Sequence, residues 1–255
     1  MNTRLILGDC LRRMIDIPSR SVDLILADLP YGTTGCEWDT PISLPLLWSH
    51  FNRLLKPRRA IVLTASQPFT STLIVSNREW FKYCWVWEKS LVGDVFNAKN
   101  KPLKIHEDIC VFSPGTTANG SDNRMIYNPQ GVVPGNGKHK RCETDRAFAG
   151  KRPSHPEYFE YAGTNYPKSI IGIANPNHES VHETQKPVAL MQYLILTYSN
   201  EGDTVLDPTM GSGTTGIACI NTDRNFIGIE RDPEIFARAE KRIEDARFAM
   251  PLFPV

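Results

Sequence analysis

The stretch from Thr204 to Glu230 constrains this chain more than any other. A short apolar run, Thr204-Val205-Leu206-Asp207, leads into Gly211-Ser212-Gly213-Thr214-Thr215-Gly216, and a second run, Phe226-Ile227-Gly228-Ile229-Glu230, follows. Strand, glycine-rich turn, helix and strand in that order make a βαβ unit, which places two parallel strands in one sheet. Glycines let a ligand approach the backbone, and the helix amino terminus presents free N–H groups. An acid at the end of the next strand can accept hydrogen bonds from both ribose hydroxyls. Glu230 follows Gly213 by 17 residues, close to the spacing of such a unit. There is no Walker lysine, which argues against ATP.

The same alternation runs through the amino-terminal half. Val22 to Ala27 is short and branched-aliphatic, as suits a strand buried on both faces. Leu44 to Leu55 has apolar residues at helical spacing and stops before Lys56-Pro57. Strands are expected at 60–64, 83–87 and 107–112, and helices at 187–198 and 232–248, with Pro187 placed as at a first turn. Strand and helix in alternation imply a parallel sheet with helices on both faces, so the fold class is doubly wound α/β. Trp85 and Trp87 alternate on one strand and read as core. His106-Glu107 reads as a structural hydrogen-bonded pair rather than an acid/base couple, and the charges of 232–248 as a solvated face.

Between these halves the texture changes. Residues 113–183 contain seven Pro, eight Gly and seven Asn, the composition of loops and turns. They also hold Tyr127, Phe148, Tyr158, Phe159, Tyr161 and Tyr166, too many aromatics for a disordered linker. Long irregular inserts in compact domains usually form lids or recognition elements. The expected organisation is therefore one domain from 1–112 and 182–255, carrying an inserted region at 113–181.

Charge narrows the partners. The 29 basic and 28 acidic residues nearly cancel, which excludes histone-like wrapping of nucleic acid. Their distribution is uneven: residues 99–152 hold ten Lys and Arg against five Asp and Glu, whereas 200–255 hold six against ten. Lys138, Lys140, Arg141, Arg146, Lys151 and Arg152 lie in the Pro/Gly-rich stretch, where they are candidates for phosphate contacts; a solvated basic loop is the alternative. No apolar run approaches the roughly 18 residues of a membrane span. Asp9 comes too early for a signal peptide's apolar stretch, and the expected location is the cytoplasm. The six cysteines are never closer than 26 residues and form no C-x-x-C unit, and no His/Cys/Asp cluster has metal-ligand spacing, so no metal is expected.

A second candidate site stands where the strand 22–27 ends, at Asp28-Leu29-Pro30-Tyr31-Gly32. Ligands of open α/β sheets bind at the carboxyl ends of strands. A carboxylate, a Pro-fixed turn and an aromatic ring are what methylation of an exocyclic amine needs. The lone pair of such an amine is delocalised into the ring, and acceptors for its two N–H bonds would localise it. Tyr31 could stack on a base held outside the duplex. Alone, the segment reads more readily as a plain strand-end turn.

It does not stand alone. Asp28-Leu29-Pro30-Tyr31 resembles the D-P-P-Y motif of the DNA amino-methyltransferases, and Asp207-Pro208-Thr209-Met210-Gly211-Ser212-Gly213-Thr214-Thr215-Gly216 resembles their S-adenosylmethionine motif. His182-Glu183-Thr184-Gln185-Lys186-Pro187 is similar to the H-x-T-Q-K-P segment before it, and Gly8-Asp9-Cys10, Trp87-Glu88-Lys89 and His106-Glu107 match as well. The order, catalytic motif first and cofactor motif last, is the circularly permuted beta-class arrangement. The resemblance implies a Rossmann-like methyltransferase fold with 113–181 as target-recognition region. It implies S-adenosylmethionine as cofactor and DNA as partner, and methylation of adenine N6, because an Asp rather than a Ser opens the catalytic motif. Cytosine N4, RNA or a protein amide, and a catalytically silent DNA-binding module are the alternatives. Asp28 and the Leu29 carbonyl would hold the amino group, Pro30 would fix the turn and Tyr31 would stack. Asp9, Cys10, Asp28, Thr184, Lys186, Asp207, Pro208, Gly211, Ser212, Gly213, Thr214, Thr215, Glu230 and Arg231 would form the cofactor pocket. Leu29 departs from the family's proline, with little consequence expected, since the group used there is main-chain. Relatives of this class are commonly homodimers and often accompany a restriction endonuclease.

Overall fold

The computed structural model describes residues 1–32, 39–140, 158–175 and 185–249. They form two compact units, one of Met1–Asn128 with Ser169–Val255 and one of Pro129–Lys168. Both divisions fall inside the 113–181 stretch marked by its composition.

The first unit holds β1 (Thr3–Leu7), α1 (Cys10–Arg13), β2 (Val22–Asp28), α2 (Leu44–Leu54), β3 (Leu55–Ala65), α3 (Phe69–Ser76), β4 (Phe81–Gly93) and β5 (Lys104–Phe112). The strand pair β6 (Val133–Lys140) and β7 (Tyr158–Thr164) belongs to the second unit. The first resumes with β8 (Ile170–Gly172), α4 (Val188–Tyr198), β9 (Thr204–Asp207), α5 (Thr214–Ile220), β10 (Asn225–Glu230) and α6 (Pro233–Ala249). Its sheet runs β1-β10-β9-β2-β3-β5-β4-β8. From β1 to β3 every neighbouring pair is parallel.

Period-2 alternation explains why the sheet is covered twice. Leu24 and Leu26 face one way with Val62 and Val111, into a core completed by Leu190 and Leu194 of α4 and Ile243 of α6. Ile25 and Ala27 face the other way with Ile61, Leu63 and Phe112, against Leu47 and Phe51 of α2 and Leu73 of α3. Trp85 and Trp87 are buried in the first core, as their alternation implies.

Two features differ from the pattern read in the sequence. β5 runs antiparallel to both β3 and β4. The link Asp94–Leu103 carries only a 3₁₀ turn, Val95–Asn97, and a parallel return needs a crossover of a dozen residues or more. The second is β6 with β7, an antiparallel pair in the stretch expected to be loops, whose register runs from Val133↔Thr164 to Lys140↔Tyr158. Tyr158-Phe159-Glu160-Tyr161 supplies the aromatic β-formers for it, within a Gly-rich composition that hides them.

The strand order also locates the site. From β2 the chain winds outward to β3, and from the adjacent β9 it winds the opposite way to β10, beyond which β1 forms the edge of the sheet. The crevice between the carboxyl ends of β2 and β9 is thus the topological switch point, where open α/β sheets bind ligands.

Candidate active site

Asp28 closes β2 and Asp207 closes β9, and both line a cavity at that switch point together with Gly8, Leu29, Pro30 and Glu230. Asp9, Cys10, Lys186, Pro208, Gly211, Ser212, Thr214, Thr215 and Arg231 line it as well. The two motifs that lie 179 residues apart in sequence, Asp28 to Asp207, therefore share one cavity. The bond from the Thr209 hydroxyl to the Asp28 carbonyl, 3.0 Å, ties them directly. Thr184 lies outside the described residues, as do Arg141, Arg146, Lys151 and Arg152. Lys138 and Lys140 are placed on β6.

The glycine-rich turn is organised by two carboxylates. Asp207 accepts the Thr209 N–H at 3.1 Å and the Thr215 hydroxyl at 2.6 Å, strapping the strand end to the first turn of α5. Its burial raises its pKa to about 7, against the bonds from Thr215 and Thr209 that lower it. Glu230 accepts the Gly211 N–H at 3.1 Å through one oxygen and the Asp232 N–H at 2.9 Å through the other. It thereby joins the loop to the start of α6. Asp9 caps α1 by accepting the Arg12 N–H at 3.1 Å. The Cys10 thiol is pushed up to about 11 by burial and by Asp9, so it stays neutral.

Gly211, Gly213 and Gly216 stand at G-x-G-x-x-G spacing, and the structure separates their roles. Gly211 has φ +50°, and a Cβ there would meet open space beside the cavity wall, a place for a ligand against bare backbone. Gly213 has φ +81°, and its Cβ would strike Ile243 at 2.9 Å; Gly216 meets the same side chain at 2.6 Å. Gly213 therefore also serves packing against α6, and it is not among the residues that line the cavity. This spacing is shared with dinucleotide sites and does not by itself select a cofactor.

Around Asp28 the chain gathers groups that sequence spacing does not connect. Its Oδ1 accepts the Tyr31 hydroxyl at 2.7 Å and also the Thr64 hydroxyl, and its Oδ2 accepts the Lys186 ammonium at 2.7 Å. Thr64 comes from β3, where parallel register sets it opposite Asp28. The Tyr31 ring stacks on Phe69 of α3, centroids 5.2 Å apart. Burial and the Asp28 charge push the Tyr31 phenol well up, so it donates to the carboxylate as a neutral hydroxyl. Leu29 is not idle: its side chain is buried in the core beneath the turn.

Glu107 is the residue whose role the sequence concealed. It bonds to Lys89 and stands 3.2 Å from Lys186, rather than pairing with His106, which is exposed. Burial would lower the Lys186 pKa, but Asp28 and Glu107 outweigh it and hold the ammonium protonated. Burial would raise Glu107, and Lys186 with Lys89 pull it down instead, so it is ionised. The adjacency of Lys89 and Glu107 follows from the β4–β5 register, and no spacing rule encodes Lys186 beside them.

A mostly parallel α/β sheet with a glycine loop, a strand-end acid and a carboxylate at the switch point is the frame of the Rossmann-like methyltransferase class. The chain matches the N6/N4 family model described as DNA methylase over residues 22–241, and it belongs to that family. The Type II methyltransferase M.HpaI of Haemophilus parainfluenzae is 27% identical over 254 residues, covering 96% of this chain and 75% of the relative. The DNA adenine methyltransferase YhdJ of Escherichia coli strain K12 is 29% identical over 256 residues, 94% of this chain and 82% of the relative. Among solved structures, the M1.HpyAVI–SAM complex superposes with a TM-score of 0.64 at 24% identity, over 94% of this chain and 98% of that one. The cytosine-N4-specific PvuII DNA methyltransferase does so with a TM-score of 0.64 at 15% identity, over 97% and 92%. At such identities the structural likeness shows the fold alone. The enzyme is an S-adenosylmethionine-dependent methyltransferase.

The cavity fits that cofactor. Open space at Gly211 leaves bare backbone for an adenosyl group, Glu230 would accept from ribose hydroxyls, and the lining acids Asp9, Asp28, Asp207 and Glu230 outnumber Lys186 and Arg231, as suits a sulfonium cation. The bound cofactor supplies an electrophilic methyl group.

Proposed function

We propose that this protein methylates adenine N6 in DNA, and the observation that carries the reading is the Asp28 carboxylate on the cavity wall with Tyr31 and Leu29 beside it. Asp28 accepts one amino N–H, which draws the nitrogen lone pair out of conjugation with the ring. The Leu29 main chain provides the second acceptor, and Pro30 holds the turn rigid. Asp28 then takes the proton that the methylated nitrogen must lose and passes it to water. Tyr31, with Phe69 behind it, offers a face for an extruded base to stack on. No cysteine stands in this segment, so the transfer is direct, without a covalent enzyme intermediate. The fold is shared with a cytosine-N4 enzyme, so base choice rests on the aspartate and its surroundings rather than on topology.

Residues 113–181 form the target-recognition region in this reading. Lys138, Lys140, Arg141, Arg146, Lys151 and Arg152 hold phosphates there, while other side chains read base edges. A homodimer and a cognate restriction endonuclease accompany the reading on family likeness. Among the described residues no helix is long and apolar enough to cross a membrane. The test is transfer of tritiated methyl from S-adenosylmethionine to duplex DNA, RNA and protein, with the labelled base identified after digestion. Label in N6-methyladenine of DNA supports the reading; label only in N4-methylcytosine, RNA or protein overturns it.

A further inference from the structure

The hydrogen bonds of Asp28 raise a chemical problem. Oδ1 already accepts from Tyr31 and Thr64, and Oδ2 is held by Lys186 at 2.7 Å. A carboxylate facing an ammonium is a weaker acceptor for a neutral amine, because its charge is already compensated. Oδ2 keeps a second lone pair, and it becomes a strong acceptor for an amino N–H as the Lys186 bond lengthens. A buried ammonium cannot be left unpaired, so it needs another anion within reach.

Glu107 is that anion. Its Oε1 is held by Lys89, and its buried Oε2 faces the Lys186 ammonium at 3.2 Å, longer than the 2.7 Å at which Asp28 holds the same ammonium. The two carboxylates share one ammonium unequally, and the longer bond to Glu107 has room to shorten as the bond to Asp28 lengthens. Glu107 is not among the residues lining the cavity, so a ligand there does not compete for it. We propose that Glu107 is a positioning residue that draws Lys186 away from Asp28 Oδ2 as the substrate amine enters, freeing that oxygen to accept the amino N–H. The shift moves a charge between two carboxylates and transfers no proton. It rests on the reading of Asp28 as the acceptor of the target amine.

Glu107→Gln tests it, since glutamine keeps the size and an acceptor but loses the charge that attracts Lys186. The expected result is a fall in kcat of about tenfold to a hundredfold, the scale of one charge-assisted hydrogen bond. S-adenosylmethionine affinity should stay near wild type, while Tm should fall because Lys89 loses its anion. Glu107→Asp should recover part of the loss. In a Lys186→Met background the effect of Glu107→Gln on kcat should shrink toward nothing, since the cation through which it acts is gone. A Glu107→Gln enzyme with wild-type kcat on DNA overturns the proposal, as does an equal loss with and without Lys186. A fall in cofactor affinity that matches the fall in kcat also overturns it, by making Glu107 a structural support of the whole pocket. A wild-type enzyme that labels no DNA amine overturns the reading of Asp28 instead, and the proposal with it.

Discussion

β2 carries an aspartate near each end, and the two live in opposite circumstances. Asp23 is buried: it meets Lys56 at 2.7 Å and Arg59 at 2.8 Å and accepts the Thr204 N–H at 3.0 Å. Arg59 continues to Asp203 at 2.6 Å, so this cluster stitches β2, β3 and the start of β9 together. Asp28 also holds a lysine at 2.7 Å, but its side chain is 31% exposed and lines the cavity. Both hold buried or half-buried cations, so the presence of an ion pair does not tell the two apart. They differ in whether an incoming group can reach the carboxylate: Asp23 is 2% exposed and spends its oxygens between strands, while Asp28 stands on the cavity wall.

The sharpest test of this contrast substitutes both. Asp28→Ala should lower turnover by about 10²–10³, the usual loss for a contact made in the transition state, with S-adenosylmethionine affinity largely kept. Asp23→Ala should leave the turnover of folded enzyme unchanged and cost about 3 kcal/mol in urea unfolding, because it strands Arg59 and Lys56. Turnover and unfolding measured on both variants would break the comparison if the two losses were interchanged.

Glu230 falls between these cases, since its oxygens hold the Gly211 and Asp232 amides on the wall of the cavity. Glu230→Ala should weaken S-adenosylmethionine binding by about 1.5–3 kcal/mol in calorimetry. An unaltered Kd would make it a purely structural acid, like Asp23.

Asp207 sharpens the comparison through pH. Its folded pKa of about 7 lies above the ordinary 3.8, so the folded state keeps a proton that the unfolded chain loses between those values. Its contribution to stability is complete below pH 3.8 and is lost as pH rises toward about 7. Asp207→Asn should remove that decline, by up to about 1.4 kcal/mol per pH unit, in Tm or urea titrations over this window. A slope identical to wild type would show the carboxyl to be ionised throughout.

The smallest effect is expected at Leu29. Leu29→Pro restores the commoner motif and leaves the carbonyl, so activity should stay within about tenfold. Because the leucine side chain is buried, the cost should appear as about 1–2 kcal/mol of stability rather than in turnover. A folded variant that loses a thousandfold in turnover would show that the side chain shapes the catalytic turn.

Local pattern determined much of this protein. The apolar run of β2, the turn residues after it and the glycine loop before α5 act within one element or one βαβ unit, where periodicity and turn chemistry are legible. So Asp28, Tyr31, Asp207, Gly211 and Glu230 could be named from residues alone. The strand pair in the Pro/Gly-rich stretch and the antiparallel β5 could not, because composition masks one and a short connection decides the other. Only the tertiary structure put Thr64, Glu107 and Lys186 around Asp28. Their meeting depends on the β2–β3 and β4–β5 registers and on Lys186 arriving 158 residues after Asp28 in the chain. Register is a property of paired strands, set by which faces are buried together, and no spacing within one segment carries it.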